Sequence, residues 1–274
     1  MPSPFAHLVV LDFEATCNNG APPVPQEIIE FPSVLVDAEA HQIVDEFPSF
    51  VRPVHHPRLS EFCRELTGIE QAEVDAADPF LAVLAAHQRW LASHHLEDFL
   101  FITCGDWDLA RMFPAQCATA GIAVPRAYRR WCNLKLPFAA AFRRSKGAGM
   151  TSMLRTIGLE LEGRHHRGID DSRNIARIVV AMLDRGLGFE ATAELSASQF
   201  PELPIHLVWR DQTHDVVLKK RAVSALLGLA GGLLRTKIVG FTDPAGAPLT
   251  DEALTDLPPH ATLVAVGADD RRTP

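Results

Sequence analysis

The sequence predicts an α/β fold: a mixed central sheet flanked by helices over residues 1–190, then a small α/β or β-rich appendage over residues 200–274. Three observations carry this prediction. Strand-like segments come first and helical ones later, with a further strand between helices, which is the order of a mixed sheet covered by helices. The segments 7–14 and 99–103 hold unbroken apolar runs, as strands buried on both faces do. Around Pro201 and Pro204 the pattern is interrupted, and a second set of strand-like segments begins.

Taken in order, residues 7–14 read as a central strand followed by the Pro/Gly/Asn-rich loop 18–25. Residues 28–36 and 43–51 form two strands around a turn at 37–41, a predicted hairpin in which Pro32 and Pro48 suit edges or bulges. Ser60 is placed to cap a short helix over 60–66, and Gly68 to stop it. A longer helix is expected over 78–93, with Leu81, Leu84, Ala85, Gln88 and Leu91 on its inward face. After the strand 99–103, Cys104-Gly105-Asp106 turns the chain into a helix over 107–120, ended by Gly121. Further helices are expected within 127–142, at 151–157 and at 170–185, the last with an apolar stripe through Ile175, Ile178, Val179, Met182 and Leu183. In the appendage, residues 205–210, 215–220, 237–242 and 262–266 read as strands.

Composition narrows the class. A chain of 274 residues that is 47% hydrophobic and 22% charged can bury a sizeable core, so disorder is excluded as its default state. The weakly polar run 222–234 contains three glycines and falls short of the roughly 20 residues a bilayer span needs. The apolar stretch 8–11 is short, lacks a basic leader and runs into Asp12, so it does not read as a signal peptide; the expected location is cytoplasmic, with no membrane partner. Five cysteines without a CxxC pair predict reduced thiols rather than a disulfide framework or structural zinc. The net charge of −8 hides a strong segregation. Residues 109–159 contain no Asp or Glu but carry Arg111, Arg126, Arg129, Arg130, Lys135, Arg143, Arg144, Lys146 and Arg155. Such a field suits a phosphate backbone, although a solvated basic face has the same composition.

The residues that carry chemistry are carboxylates. On an extended strand Asp12 and Glu14 project to the same side while Phe13 packs behind. Two adjacent buried carboxylates oppose each other's ionisation, and a hard divalent ion such as Mg²⁺ or Mn²⁺, which prefers oxygen ligands, relieves both the burial and the repulsion. Asp171 shares its helix face with Ile175, Ile178 and Met182, so it points toward the core and needs a partner, while Asp170 suits a cap. Asp106 and Asp108 compete for a place at the carboxyl edge of the sheet, where α/β proteins keep their sites, and Asp106 suits an N-cap. His166 sits five residues before Asp171 in a Gly-flanked loop, where Arg164 and Arg167 would favour the neutral imidazole that a general base requires.

These residues resemble the DEDDh branch of DnaQ-like 3′→5′ exonucleases, and within it the exoribonucleases that trim histone mRNA 3′ ends and small interfering RNA. The likeness covers residues 7–186 and rests on several blocks in order. They are Leu11-Asp12-Phe13-Glu14-Ala15-Thr16-Cys17, Glu27-Ile28-Ile29-Glu30-Phe31-Pro32, Phe50-Val51-Arg52-Pro53, the stretch 62–69, Gly105-Asp106-Trp107-Asp108 and the stretch 166–176. The resemblance implies an RNase H-like fold and makes Asp12, Glu14, Asp108 and Asp171 the metal-binding acids, with His166 the catalytic histidine. It selects Asp108 over Asp106 because the family's aspartate follows an aromatic residue, here Trp107. It also implies that Phe13, Ala15, Thr16 and Trp107 lie beside the terminal nucleoside. The appendage matches nothing familiar in that family.

The expected activity is two-metal hydrolysis of the terminal phosphodiester by Mg²⁺ or Mn²⁺ ions roughly 4 Å apart, with His166 removing the proton from water and nucleoside 5′-monophosphates as products. The basic segment would track the backbone through Arg129, Arg130, Arg143, Arg144 and Lys146, with Trp107 or Trp131 available to stack a base, so a single-stranded 3′ end is the expected substrate. The resemblance favours RNA over DNA. A DNA or dual-specificity exonuclease is the nearest rival, and a catalytically silent nucleic-acid-binding adaptor is the alternative from another class. A third reading gives the principal role to the appendage, as a protein-interaction domain that brings the nuclease to a complex.

Overall fold

The apolar run at residues 8–11 becomes the middle of a sheet. β1 (His7–Val10) has neighbours on both sides, and its Leu8, Val9 and Val10 are fully buried. The expected strand to residue 14 stops early. Leu11 still donates its N–H to Ile102 O (3.0 Å), but at Phe13 the backbone N–H turns to Asp108 Oδ1 (2.9 Å), which ends the ladder. β2 (Glu14–Ala15) then pairs with β3 (Ile28–Glu30) in a separate two-stranded ribbon, where Glu14 opposes Glu30.

The structure is a computed structural model that describes residues 3–96, 98–143, 147–195 and 202–268. It divides into two compact units, Met1–Gln116 with Tyr128–Glu194, and Cys117–Ala127 with Leu195–Pro274. In the first, Pro32 separates β3 from β4 (Ser33–Asp37), which forms the expected hairpin with β5 (Gln42–Phe47). α1 (Glu61–Thr67) is capped by Ser60, whose hydroxyl accepts from Cys63 N, and is stopped by Gly68 at φ +70°. α2 (Gln71–Asp75) is too short for its periodicity to show in sequence. α3 (Phe80–Ser93) starts two residues later than expected and turns a different face inward: Phe80, Val83, Leu84, His87 and Leu91 are buried, while Leu81 is exposed. The buried His87 fixes that register by bonding Ser33 Oγ (2.8 Å) and Tyr128 Oη (2.6 Å).

β6 (Phe99–Thr103) lies beside β1, and a wide turn at Asp108–Met112 leads into α4 (Phe113–Thr119). The helical reading of residues 127–142 is corrected in part. After a 3₁₀ turn at Arg126–Arg129 the chain forms β7 (Arg130–Asn133) before α5 (Lys135–Phe142). A four-residue strand with a buried Trp131 and Cys132 has no alternation to distinguish it from a helical segment. α6 (Met150–Ile157), α7 (Gly168–Leu183) and β8 (Ala193–Glu194) complete the unit. The sheet order is β5-β4-β1-β6-β7-β8, with β1, β6 and β7 parallel and the other pairs antiparallel. α7 packs on it through Ile175, Ile178, Val179 and Met182, which join Leu8, Val10, Val34 and Val36 in one core. This is the mixed sheet flanked by helices that the sequence predicts.

The second unit follows the strands expected for the appendage: β9 (Leu203–Trp209), β10 (Gln212–Leu218), α8 (Val223–Leu234), β11 (Ile238–Thr242), α9 (Asp251–Asp256) and β12 (Ala261–Gly267). Its sheet order is β10-β9-β12-β11, with only β9 and β12 parallel, over a core that includes Leu203, Ile205, Leu207, Leu226, Leu254 and Leu263. Among the described residues no helix is long and apolar enough to cross a membrane.

Candidate active site

The parallel strands β1 and β6 end at the same level, and the chain leaving each carries an acid. Past β1, Asp12 and Glu14 come together with Asp171 of α7, and an oxygen from each lies within 4.8 Å of the others. Asp108 joins them from β6 by accepting the Phe13 N–H that lies between the first two. Its turn is firmly held: Gly105 takes φ +136°, a conformation side-chain-bearing residues avoid, and the Thr103 hydroxyl donates to Gly105 O (2.5 Å). Asp106 is not an N-cap. Its carboxylate accepts from Trp131 Nε1 (3.0 Å) and Asn133 Nδ2 (2.8 Å), tying the turn to β7. This also removes Trp131 as a base-stacking candidate, since its indole is 1% exposed and committed to Asp106.

Asp171 lies in the first turn of α7, which begins two residues before the expected start. Its carboxylate accepts the His166 backbone N–H (2.9 Å) and meets His165 Nδ1 (2.9 Å). His166 takes φ +67°, its ring stacks on His165 with 3.9 Å between centroids, and a nitrogen of each ring falls within 4.8 Å of an Asp171 oxygen. The arginines do not act on His166 as expected. The Arg164 guanidinium donates to Glu65 O, and Arg167 donates to Gly68 O (2.9 Å) and Glu73 (2.8 Å), so both charges are spent on helices α1 and α2. Burial, and then the neighbouring His165, lower the His166 pKa instead.

The acids are strained electrostatically. Burial, followed by the charges of Asp108 and Glu14, drives Asp12 well above the usual carboxylate range. Burial and the opposed Glu30 push Glu14 up to about 9. Asp108 rises to about 6 through burial, held back by the Phe13 N–H, and burial raises Asp171 as well. A cluster of largely enclosed carboxylate oxygens whose charges repel is the donor set that hard divalent cations satisfy. Lys135, at the start of α5, counters part of the charge on Asp108. It belongs to the acid-free stretch in sequence, but nothing in that composition separates it from eight other basic residues. Two further neighbours escape sequence reading. His165 is passed over because the resemblance places the catalytic histidine five residues before Asp171, at His166, and Glu30 needed the fold to bring it to α7.

The remaining predicted residues are more scattered. Trp107, which precedes Asp108 in the chain, is 41% exposed. Phe13 is buried among Phe31 (4.7 Å between centroids) and Phe113 (5.9 Å), Ala15 is buried, and the Thr16 hydroxyl accepts from Glu27 N (3.0 Å), so these three side chains are occupied inside the fold. Arg130 begins β7, at the opposite end of that strand from Asn133, and its guanidinium lies 5.3 Å from the Phe5 ring centroid. Arg129 is half-buried in the preceding turn, and Arg143 is exposed at the end of α5 with φ +50°. Arg144 and Lys146 lie outside the described residues.

An RNase H-like mixed sheet with four convergent acids at the carboxyl edge of β1 and β6, and a histidine five residues before the last of them, defines the DEDDh exonuclease class. The chain belongs to the Exonuclease family, which it matches over residues 9–179. It is 40% identical over 198 residues to ERI1 exoribonuclease 3 of Homo sapiens, covering 70% of this chain and 58% of that protein. It is 36% identical over 200 residues to 3′-5′ exoribonuclease 1 of Homo sapiens, covering 71% and 57%. It resembles the solved nuclease domain of 3′hExo, a DEDDh family member bound to rAMP, with TM-score 0.68, 35% identity, and 71% of this chain and 100% of that chain covered. A structure of 3′-end specific recognition of the histone mRNA stem-loop by 3′-exonuclease aligns with TM-score 0.69 and 32% identity over 78% of this chain and 71% of that one. The chain spans less than 60% of the length of the curated relatives it matches. Family membership implies a divalent-metal requirement, and the oxygen-only acid cluster fits it.

Proposed function

We propose that the protein is a 3′→5′ exonuclease that removes nucleoside 5′-monophosphates from single-stranded 3′ ends, with RNA preferred. One observation carries the reading: the half-buried Asp12 and Glu14 and the buried Asp171, more than 150 residues further along the chain, bring carboxylate oxygens within 4.8 Å of one another at a sheet edge, beside a surface-exposed histidine pair. Asp12, Glu14 and Asp171 would hold the cations, with Asp108 completing the set. Mg²⁺ or Mn²⁺ bound there would activate water and offset charge on the departing 3′ oxygen. His166, kept toward its neutral form by partial desolvation and by the neighbouring His165, accepts the proton of the attacking water. Lys135 moderates the charge at Asp108, and Trp107 offers an accessible indole on which the terminal base can stack.

The preference for RNA is supported by relatives that are themselves exoribonucleases. Residues 1–190 are read as the nuclease and residues 200–274 as a separate domain, suited to a protein partner and given no step in the hydrolysis. The test is digestion of 5′-labelled single-stranded RNA and DNA with Mg²⁺, Mn²⁺ or EDTA, comparing wild type with Asp12→Ala and His166→Ala. The expected result is a ladder shortening from the 3′ end, faster on RNA and absent with EDTA or either variant. Internal cuts, or digestion insensitive to chelation, would overturn the reading.

A further inference from the structure

Beside the four acids of the cluster lies another buried carboxylate, Glu30, only 1% exposed and without a part in the mechanism above. A charge so enclosed needs partners. Both of its oxygens have one: Oε2 accepts from Gly168 N (2.8 Å) and Oε1 from Ile169 N (3.1 Å), with Arg167 Nε 3.8 Å away. These are the first N–H groups of α7, donors that have no acceptor within their own helix. Glu30 therefore caps α7 from a strand 138 residues earlier in the chain. On β3, Glu30 is the cross-strand neighbour of Glu14. The same residue thus touches the element that carries Asp171 and the ribbon that carries Glu14.

The seat is tight. A Cβ on Gly168 would stand 2.7 Å from Asp12 O and 3.1 Å from Glu30 Oε2, so the backbone of α7 is set directly against the backbone of Asp12. Glu30 lies outside the set Asp12, Glu14 and Asp171 whose oxygens meet, and its own oxygens are turned to N–H donors, which argues against a role as a direct ligand. We propose that Glu30 is a positioning residue, whose carboxylate holds the start of α7 against β3 so that Asp171 stays in register with Asp12 and Glu14. This rests on the reading that those three acids share divalent cations.

The test uses the full chain, with Mn²⁺ as the probe. Isothermal titration gives Mn²⁺ affinity, and kcat and KM are measured on a single-stranded RNA oligomer as Mn²⁺ is raised. Glu30→Gln keeps the volume but places an amide N–H₂ against an N–H donor. It is expected to weaken Mn²⁺ binding about 10- to 100-fold, lower kcat at fixed Mn²⁺ to a similar degree, leave KM within about twofold, and recover kcat at high Mn²⁺. Gly168→Ala keeps the Glu30 carboxylate yet pushes α7 away from Asp12 O, and should give the same pattern. A folded Glu30→Gln with wild-type Mn²⁺ affinity, or a loss of kcat that high Mn²⁺ does not restore, overturns the proposal. If Glu30 variants fail to fold, Gly168→Ala decides, and wild-type affinity there overturns it. A wild type that binds Mn²⁺ but shortens no oligomer would sink the exonuclease reading alone, since the Mn²⁺ isotherms still judge Glu30.

Discussion

Two polar groups buried in the first unit behave in opposite ways. His87 is fully enclosed, yet its ring nitrogens face Ser33 and Tyr128 at 2.8 and 2.6 Å, and burial holds its pKa down at about 3. It is a neutral group with neutral partners, and its network is closed. The cluster of Asp12, Glu14, Asp108 and Asp171 is enclosed as well, with Asp108 and Asp171 buried and the other two half-buried, but its members press on one another and their pKa values rise. The lesson is that burial of a polar residue does not mark a site; an unresolved electrostatic conflict does. The second unit makes the same point. There the buried Arg221 donates to Leu257 O (2.8 Å) and Thr255 O (3.3 Å) at the end of α9, a cation beside helix carbonyls rather than beside like charges.

The largest test of this contrast is Asp12→Asn. Cleavage should fall about a thousandfold, corresponding to the several kcal/mol of transition-state stabilisation that bound metal supplies. The same change should stabilise the EDTA-treated protein by roughly 1–2 kcal/mol, because it removes one of the opposed charges. Calorimetry alongside a cleavage assay would break the comparison if the variant melted lower without metal. The cluster should also give a distinctive pH response. Glu14 is raised from an ordinary carboxylate value to about 9, so its contribution to stability is present at pH below about 4.5 and is lost as pH climbs toward 9. Melting curves in EDTA should show that decline, and saturating Mn²⁺ at about 100 times its Kd should add about 2.7 kcal/mol.

His87 should respond with the opposite sign. Its folded pKa lies below the unfolded value of about 6.5, so stability is complete above that pH and is lost as pH falls toward 3. Urea unfolding should show about 2 kcal/mol less stability at pH 5 than at pH 7 from this group, and His87→Leu should flatten that slope while leaving kcat within about threefold. The smallest effects separate the two tryptophans. Trp107→Ala should weaken oligomer binding by about 1–3 kcal/mol, seen as a raised KM with little change in melting. Trp131→Phe, which loses its bond to Asp106, should lower stability by about 1 kcal/mol with KM unchanged.

Much of this is legible in the sequence itself. The strands at β1 and β6, the capped α1 and the stripe of α7 follow from local rules, because each is decided by residues close in sequence. Asp171 could be picked from its place on a buried helix face, and the DEDDh resemblance singled out Asp108. What stayed hidden depends on distant partners. The inward face of α3 is chosen by His87 meeting Ser33 and Tyr128, and β7 is a strand because β6 lies beside it. Asp106 looked like a cap because the donors its carboxylate accepts from, Trp131 and Asn133, are more than twenty residues away. The arginines of the His166 loop looked like neighbours of the imidazole, but each found an acceptor nearly a hundred residues earlier.

The wide turn at Asp108–Met112 carries a consequence for how this protein can vary. Phe113 N–H reaches back five residues to Asp108 O, one more than an α-helix allows. Such a turn is equivalent to one residue inserted into a regular helix, and helices carry these insertions often where function demands them. Removing a residue between Asp108 and Phe113 would restore ordinary winding, but it would swing Asp108 by about 100° about the axis relative to α4. Length in this short stretch is therefore as constrained as residue identity, and single-residue deletions here should be tolerated less well than substitutions that keep the count.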